Sequence, residues 1–382
     1  MITNALRLNS VEEYYFSKKL KEVHQLIASG KPIINMGVGS PDLAPHATVI
    51  AAIQKAMLDD KAHEYQSYQG LPELRSAIAD FYKNNYNVVA DAATEILPLM
   101  GSKEGIMHIS MAFLNQGDHV LIPNPGYPTY QSVTNLVQAT PIFYDLVAAK
   151  NWQPDFDELE KSDLSKVKLM WVSYPHMPSG ANGCLVFFKK LIAFGQKHNI
   201  LIVNDNPYSF ILNKNPISIF QIDGAKTIAL ELNSLSKTFN MAGWRVGMVV
   251  GQKLFLDSIL KVKSNMDSGM FYGIQKGAIA ALRLKSSWFK NQNEIYNSRR
   301  QLIFALATKL NCTFDKNAVG LFVWAKLPAN APSAEDFIDD LLLTKHLFVT
   351  PGTIFGSNGA GYIRFSLCVK EEFISQAIAR FD

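Results

Sequence analysis

The sequence has few cysteines, no long apolar run and no concentrated charge. Its three cysteines, Cys184, Cys312 and Cys368, are far apart, and neither they nor the eight scattered histidines show the spacing of a metal site. No apolar run approaches the length of a membrane span, and the charged N-terminus lacks the apolar core of a signal peptide. The 37 basic and 33 acidic residues are spread along the chain, which indicates neither nucleic acid nor a membrane as a partner. We expect a soluble, cytoplasmic protein without a metal ion.

The chain does contain enough apolar residues for a large core. Since it has 382 residues, of which 48% are hydrophobic and 18% charged, we expect two domains. From about residue 95 to 250, short apolar runs alternate with amphipathic helical patterns, which favours an α/β fold with a mostly parallel sheet between layers of helices. The predicted strands are 95–100, 119–123, 168–175, 200–206, 227–234 and 245–251.

The segment after about residue 285 has a different pattern. A long helical stretch at 291–310 is followed by three separate strand-like runs, "GLFVWAKL", "HLFVTPG" and "GYIRFSLC". We predict a large domain at 46–284 and a smaller α+β domain formed by 1–45 and 285–382.

Small and polar residues follow the first predicted strand. Gly101, Ser102 and Lys103 lead from that strand directly into a helix. The free N–H groups and the dipole of a helix N-terminus suit a phosphate, although a simple helix cap explains the same residues.

Other predicted strands end in residues that suit a binding site. Asp205 ends a very apolar strand, with Tyr208 three residues further on, and Tyr127 lies in a Pro-Gly loop after another strand. The carboxyl ends of parallel strands meet at one edge of a sheet, so these side chains are expected to converge. Taken singly, a cap and a loop tyrosine also fit.

The stretch "NSLSKTFNMAGWRVG" at 233–247 is the most specific motif. Lys237 stands behind Ser234 and Ser236 at the end of a predicted strand, and Arg245 follows eight positions later. Two buried cations side by side are costly unless an anion is present or one of them is neutralised.

Taken together, these strand-end residues resemble the class I/II pyridoxal-phosphate-dependent aminotransferases of fold type I, the aspartate aminotransferase superfamily. The resemblance extends from "GVGSPD" at 37–42 to "YIRFSL" at 362–367. It implies transfer of an amino group between an L-amino acid and a 2-oxo acid such as 2-oxoglutarate, with pyridoxal 5'-phosphate as the cofactor. The implied fold is a large domain with a mostly parallel sheet between helix layers, plus a smaller α+β domain.

The resemblance also implies a role for each motif residue. Lys237 is expected to form the Schiff base with the cofactor and then to move the α-proton. Asp205 is expected to face the pyridine nitrogen, Tyr208 to donate to the ring oxygen, and Tyr127 to stack on the ring. The expected phosphate ligands are Arg245, Ser234, Ser102 and Lys103, and Gly101 and Ser236 are expected among the cofactor-binding residues.

Two further matches concern the substrate and the assembly. Arg364 is expected to bind the substrate α-carboxylate with a forked pair of hydrogen bonds, beside the backbone of Gly39. Tyr65 matches a tyrosine that reaches the phosphate of a neighbouring subunit, with Tyr68 as the competing candidate. This match implies a homodimer with shared sites.

The sequence departs from the family pattern in "SYPHMPSG" at 173–180. Met177 stands where the family usually has an asparagine that bonds the ring oxygen and the substrate carboxylate, and Ser179 stands where the family has a threonine. Because methionine cannot donate these bonds, we expect carboxylate recognition to depend more heavily on Arg364. The adjacent His176 is either a replacement donor or a histidine that points into the loop.

The donor specificity stays open at this stage. Dicarboxylate-specific members use a second arginine, and neither Arg299 nor Arg300 can be placed in the pocket from the sequence. The N-terminal aromatics Tyr14, Tyr15 and Phe16 fit a substrate pocket or a packed core equally well.

Two alternative functions fit the same residues. A β-lyase or other eliminase would share the early steps of the chemistry. A cofactor-binding regulator would need a DNA-binding domain, for which the N-terminal region offers no room.

Overall fold

The computed structural model describes residues 2–10 and 15–382, and within these residues the largest element is a seven-stranded sheet. Its strand order is β2-β8-β7-β6-β5-β3-β4, and all its strands run parallel except β8. The strands of the large sheet are β2 (Ile96–Leu99), β3 (His119–Asn124), β4 (Thr140–Asp145), β5 (Val167–Val172), β6 (Leu201–Asp205), β7 (Ala229–Ser234) and β8 (Gly247–Gly251). The mostly parallel sheet predicted from the sequence is therefore confirmed.

Helices cover both faces of this sheet. The helices of the described residues are α1 (Tyr15–Ala28), α2 (Ala47–Ala56), α3 (Pro72–Tyr86), α4 (Ser102–Phe113), α5 (Thr129–Leu136), α6 (Phe156–Leu159), α7 (Leu185–His198), α8 (Leu235–Thr238), α9 (Lys253–Lys263), α10 (Tyr272–Leu282), α11 (Ser286–Lys309), α12 (Ala334–Lys345) and α13 (Glu371–Ala379). Of these, α1, α12 and α13 do not cover the large sheet but pack into the core formed by the C-terminal part of the chain. In β3, Val120 and Ile122 pack into the core beneath α4 and α9, whereas Leu121 packs into the core beneath α7. This alternation explains why a central strand reads as a continuous apolar run.

The described part of the C-terminal region forms a second sheet of four antiparallel strands in the order β12-β13-β10-β9. A short parallel pair joins β1 to β11, so a strand from the first forty residues lies with the C-terminal unit. The strands outside the large sheet are β1 (Ile34–Asn35), β9 (Thr313–Phe314), β10 (Phe322–Lys326), β11 (Leu347–Phe348), β12 (Thr350–Pro351) and β13 (Tyr362–Ser366). The domain boundaries given above stay a prediction.

The topology brings the ends of the strands together. Because β2, β3, β5, β6 and β7 run in the same direction, their carboxyl ends share one edge of the sheet. The antiparallel β8 begins at that same edge, two residues after Arg245. Across residues 2–10 and 15–382, no helix is both long enough and apolar enough to cross a membrane.

Candidate active site

A cavity of about 670 Å³ lies at the edge where the strand ends converge. Most of the residues singled out from the sequence line it, and Gly101 directly precedes the lining residue Ser102. The predicted site residues on its wall are Gly39, Ser102, Lys103, Tyr127, Asp205, Tyr208, Ser234, Ser236, Lys237, Arg245 and Arg364. Tyr65 is not on this wall, since its side chain is 91% exposed.

Lys237 lies on the short helix α8, directly after β7. Ser234 caps this helix, because its Oγ accepts a hydrogen bond from the Ser236 N–H at 3.1 Å. Lys237 Nζ donates to the carbonyl oxygen of Gly39 at 2.7 Å. Burial lowers the pKa of Lys237, and the charges of Arg364 and Arg245 act in the same direction. The lysine is therefore biased toward its neutral, nucleophilic amine.

The end of the cavity near α4 has the character of an anion site. Gly101 caps α4 with φ +90°, and a Cβ atom there would lie 2.1 Å from Nη2 of Arg245. Arg245 itself has φ +55° and donates from Nη1 to the carbonyl oxygen of Ala242 at 2.9 Å. Held in this left-handed backbone conformation, its guanidinium faces the helix N-terminus, where Ser102 and Lys103 lie on the first turn. This arrangement fits a phosphate group.

Asp205 ends β6 and is buried. Its Oδ2 accepts a hydrogen bond from the hydroxyl of Tyr130 at 2.9 Å. Its Oδ1 has no hydrogen-bond partner among the residues that the structure describes. Burial raises the pKa of Asp205 to about 6, and the Tyr130 bond opposes this shift. An unpartnered carboxylate oxygen in a buried cavity fits a ring N–H, so the site suits the pyridine ring of pyridoxal phosphate as well as its phosphate.

The two remaining predicted cofactor contacts are aromatic. Tyr208 follows β6, its ring centroid lies 5.8 Å from that of Phe322, and burial raises its pKa. Tyr127 follows β3 and meets the ring of Tyr130 edge-on at 5.6 Å, and burial also raises its pKa. Both hydroxyls therefore stay protonated near neutral pH and remain hydrogen-bond donors.

Arg364 projects from β13 into the cavity between two aromatic rings. Its guanidinium carbon lies 3.9 Å from the ring centroid of Phe322 and 4.6 Å from that of Phe355. Nη2 donates to the carbonyl oxygen of Gly37 at 3.0 Å, and Nη1 donates to Met177 Sδ at 3.5 Å. These contacts fix the guanidinium in one orientation at the cavity wall.

The structure distinguishes between the interpretations left open for the neighbours of Met177. Met177 lines the cavity, whereas His176 does not. The two ring nitrogens of His176 are 2.6 Å from Ser179 Oγ and 3.1 Å from the carbonyl oxygen of Pro125. Burial lowers its pKa to about 4, so the ring is neutral near neutral pH. His176 thus connects two loops and does not replace the asparagine donor.

The two arginines considered for a distal carboxylate lie elsewhere. Arg299 is buried and forms a two-pronged ion pair with Asp42 at 2.7 and 2.9 Å. Arg300 donates to the carbonyl oxygen of Ala318 at 3.0 Å. Neither residue lines the cavity.

Among the N-terminal aromatics, Phe16 lines the cavity. It also packs against the core of the C-terminal unit, so both roles considered for it apply. Tyr14 and the side chain of Tyr15 lie outside the part of the chain that the structure describes.

Several lining residues were not identified from the sequence. Tyr130 stands three positions after Tyr127 on the first turn of α5, and its only sequence signal is that proximity. Phe322, Ile354 and Phe355 come from the C-terminal unit and reach the cavity only through the tertiary fold.

A second polar cluster lies behind the first turn of α4. Glu104 Oε2 accepts from the Met100 N–H at 2.6 Å, and Glu104 Oε1 lies 3.1 Å from His108 Nε2. Together with Asp267, Glu104 and His108 form a group of side chains that could ligate a metal ion. However, the ammonium of Lys263 already pairs with the Asp267 carboxylate at 2.8 Å. The cluster therefore has its own cation and braces the loop that precedes Gly101.

The convergence of these residues on one cavity agrees with the comparisons to known proteins. The chain belongs to the class I and II aminotransferases, whose family model matches residues 31–381. It is a pyridoxal-phosphate-dependent aminotransferase with the corresponding α/β fold. The eliminase and regulatory interpretations find no such support.

Individual relatives give the same picture. The chain is 37% identical to an LL-diaminopimelate aminotransferase of Aquifex aeolicus, over 98% of this chain and 97% of that protein. It is 38% identical to one of Dehalococcoides mccartyi, with the same coverage. The structure of substrate-bound BacF from Bacillus subtilis superposes with a TM-score of 0.95 at 34% identity, covering 100% of this chain and 97% of that one.

Proposed function

We propose that this aminotransferase acts on L-amino acids with large apolar side chains, above all aromatic ones. The observation that carries the proposal is the apolar wall around Arg364, which consists of Phe16, Phe322, Ile354 and Phe355. An aromatic substrate side chain bound there would exchange water for ring and methyl contacts, which is favourable. The acceptor is a 2-oxo acid that fits the same wall.

The distribution of cations supports the same substrate class. Among the described residues, the lysines and arginines that line the cavity are Lys103, Lys237, Arg245 and Arg364. Each of these has a proposed role at the phosphate, at the reacting amine or at the α-carboxylate. A distal substrate carboxylate would lie against apolar groups and lose its hydration without a partner.

LL-diaminopimelate is the second candidate donor, and the names of the relatives support it. Its far end carries both an amino group and a carboxylate. Binding would require polar partners for both of these groups, and the apolar wall beyond Arg364 disfavours this. We therefore rank it below the aromatic amino acids.

The residues of this chain divide the chemistry between them. Pyridoxal phosphate, when bound, supplies the carbonyl that takes up the amino group and the ring that withdraws electrons from the substrate Cα. Lys237 Nζ would take the proton from the substrate Cα and deliver it to the cofactor carbon that carries the transferred nitrogen. The lowered pKa of Lys237 favours the neutral amine that can accept this proton. Arg364 holds the α-carboxylate so that the Cα–H bond faces Lys237.

The other lining residues hold the cofactor in place. Asp205 Oδ1 would accept a hydrogen bond from the ring N–H, and the hydroxyl of Tyr208 would donate one to the ring oxygen. Arg245 and Ser234 would bind the phosphate together with the first turn of α4. These roles stay proposals for this chain, supported by the convergence of the side chains on one cavity.

We also propose that the enzyme is a homodimer in which Tyr65 contacts the phosphate in the neighbouring subunit. The proposal is supported by the exposure of Tyr65 together with nearby apolar side chains. Gly269 packs against the backbone of Gln66, which places the segment 266–271 beside Tyr65. The exposed apolar residues of this region are Met57, Leu58, Met266 and Phe271.

The experiment is a donor comparison in the half-reaction, without any acceptor. The rate at which the visible absorbance of the cofactor-loaded enzyme bleaches is measured with L-phenylalanine, L-tyrosine, L-leucine, L-aspartate and LL-diaminopimelate. We expect the second-order rate constants of the two aromatic donors to exceed those of L-aspartate and LL-diaminopimelate by at least about tenfold. This ratio corresponds to roughly the cost of leaving one polar group of the substrate desolvated and unpaired. A preference for either of the latter two would overturn the proposal.

A further inference from the structure

Tyr130 is a fully buried residue at the wall of the proposed cofactor site, where it contacts both Asp205 and Tyr127. Its hydroxyl donates to Asp205 Oδ2 at 2.9 Å. Its ring stacks on the indole of Trp171, with the centroids 4.9 Å apart and the planes at 4°. Its backbone lies on the first turn of α5, and its carbonyl oxygen accepts from Thr134 Oγ1 at 2.7 Å. The side chain is therefore held at its hydroxyl and at one face of its ring, and the backbone is held by α5.

We propose that Tyr130 is a positioning residue, which fixes the Asp205 carboxylate so that Oδ1 faces the ring nitrogen of pyridoxal phosphate. The inference rests on the proposed role of Asp205. The carboxylate of an aspartate can rotate about its Cβ–Cγ bond unless a partner holds one of its oxygens. Tyr130 supplies that partner, and the other oxygen is left without one among the described residues.

The choice of a tyrosine has a physical reason. A cationic partner at Oδ2 would compete with the ring N–H for the negative charge of Asp205, whereas a neutral hydroxyl leaves most of that charge at Oδ1. Burial makes the hydroxyl of Tyr130 a donor at all ordinary pH values, because burial raises its pKa well above the usual range. The stacked indole prevents the ring from turning away.

The test compares two ligands that differ only at the ring nitrogen. Cofactor-free full-length enzyme is titrated with pyridoxal phosphate and with its 1-deaza analogue, in which a C–H replaces that nitrogen, and binding is followed by quenching of protein fluorescence. We expect Tyr130→Phe to weaken binding of pyridoxal phosphate about tenfold and to change binding of the analogue less than about twofold.

Tyr144→Phe is the matched control. Tyr144 is also buried, and its hydroxyl donates to the backbone carbonyl of Trp171 at 2.7 Å, so the variant loses a buried hydroxyl on the same sheet without touching Asp205. We expect it to bind both ligands like the unmodified enzyme. Equal weakening of both ligands by Tyr130→Phe would show a general structural role and overturn the inference.

Asp205→Asn separates failure of the inference from failure of the proposed function. If Asp205→Asn weakens pyridoxal phosphate but not the analogue, while Tyr130→Phe weakens neither, Asp205 has its proposed role and the inference about Tyr130 is wrong. If Asp205→Asn does not discriminate between the ligands, the proposed role of Asp205 is itself wrong, and the inference is overturned with it. In the double variant, the inference predicts no further loss from Tyr130→Phe, because both changes act on one contact.

Discussion

Met177 Sδ accepts a weak hydrogen bond from Nη1 of Arg364 at 3.5 Å, inside a buried contact between the loop that follows β5 and the strand β13. The thioether is thus the group that meets the edge of the arginine proposed to bind the substrate carboxylate. A thioether accepts weakly and donates nothing, so it cannot assist the guanidinium in binding a carboxylate.

Replacing Met177 by asparagine should strengthen substrate binding. The amide would donate to the bound carboxylate and to the cofactor ring oxygen, and a hydrogen bond to a charged group is worth on the order of 1.5–3 kcal/mol. We expect the dissociation constant of a non-reactive substrate analogue, measured by absorbance titration, to fall about tenfold. The pH at which the visible absorbance of the bound cofactor changes should also shift.

Met177→Leu provides the control, because it keeps an apolar side chain of similar volume without sulfur. It should leave both measurements near those of the unmodified enzyme. If Met177→Asn folds with an unchanged melting temperature and alters neither measurement, the expected heavier dependence of carboxylate recognition on Arg364 is wrong.

Replacing Arg364 by lysine should weaken binding of the substrate but not binding of the cofactor. Lysine keeps the positive charge but loses the forked geometry and the stacking between Phe322 and Phe355. We expect KM for L-phenylalanine to rise about a hundredfold, and the affinity for pyridoxal phosphate to change less than about threefold. A comparable loss in both would place Arg364 at the cofactor and contradict its proposed role.

Two neighbouring tyrosines are candidates for the contact with the phosphate of the neighbouring subunit, and replacing each in turn distinguishes between them. Tyr65 and Tyr68 are 91% and 44% exposed in the single chain. We expect Tyr65→Phe to weaken pyridoxal phosphate binding about tenfold, since it removes one hydrogen bond to the phosphate, and Tyr68→Phe to have little effect. The reverse result would transfer the role to Tyr68, and sedimentation as a monomer would rule out a contact between subunits.

Asp205 should destabilise the cofactor-free protein at neutral pH. Its pKa is raised to about 6 in the folded state, against roughly 3.9 in an unfolded chain. Well below pH 4 the carboxyl is protonated in both states and has no effect. As the pH rises toward 6, the unfolded chain loses its proton first, and above that the cost approaches about 3 kcal/mol.

Urea unfolding of the cofactor-free protein as a function of pH measures this cost. Asp205→Asn should be more stable than the unmodified protein at pH 7, and the difference should become small near pH 4 and vanish below it. If the difference in the free energy of unfolding were independent of pH, the ionisation of Asp205 would not be its cause.

The sequence predicted the parts of the molecule that have a local pattern. The central strands are buried on both faces, so their apolar runs and the polar residues that end them, such as Asp205 and Ser234, stood out. The strand β4 was missed because it lies at the edge of the sheet and is mostly exposed or half-buried, with a proline at Pro141.

What the sequence could not predict depends on contacts between distant segments. The apolar wall joins Phe16 with Phe322 and Phe355, more than three hundred positions apart in the chain. The bond from Tyr130 to Asp205 spans 75 positions, and nothing in the run "YPTY" distinguishes its second tyrosine from a core residue. Likewise, only the folded chain shows that Arg299 is committed to Asp42.

We propose that Lys237 carries a reversible exchange of the amino group. The decisive measurement is the visible absorbance of the cofactor-loaded enzyme, recorded after one equivalent of L-phenylalanine and again after a 2-oxo acid. We expect the absorbance to bleach and then to return, and we expect Lys237→Ala to reduce both changes by at least about a thousandfold in rate. Bleaching at a near-normal rate in Lys237→Ala, or release of ammonia without recovery in the unmodified enzyme, would contradict it.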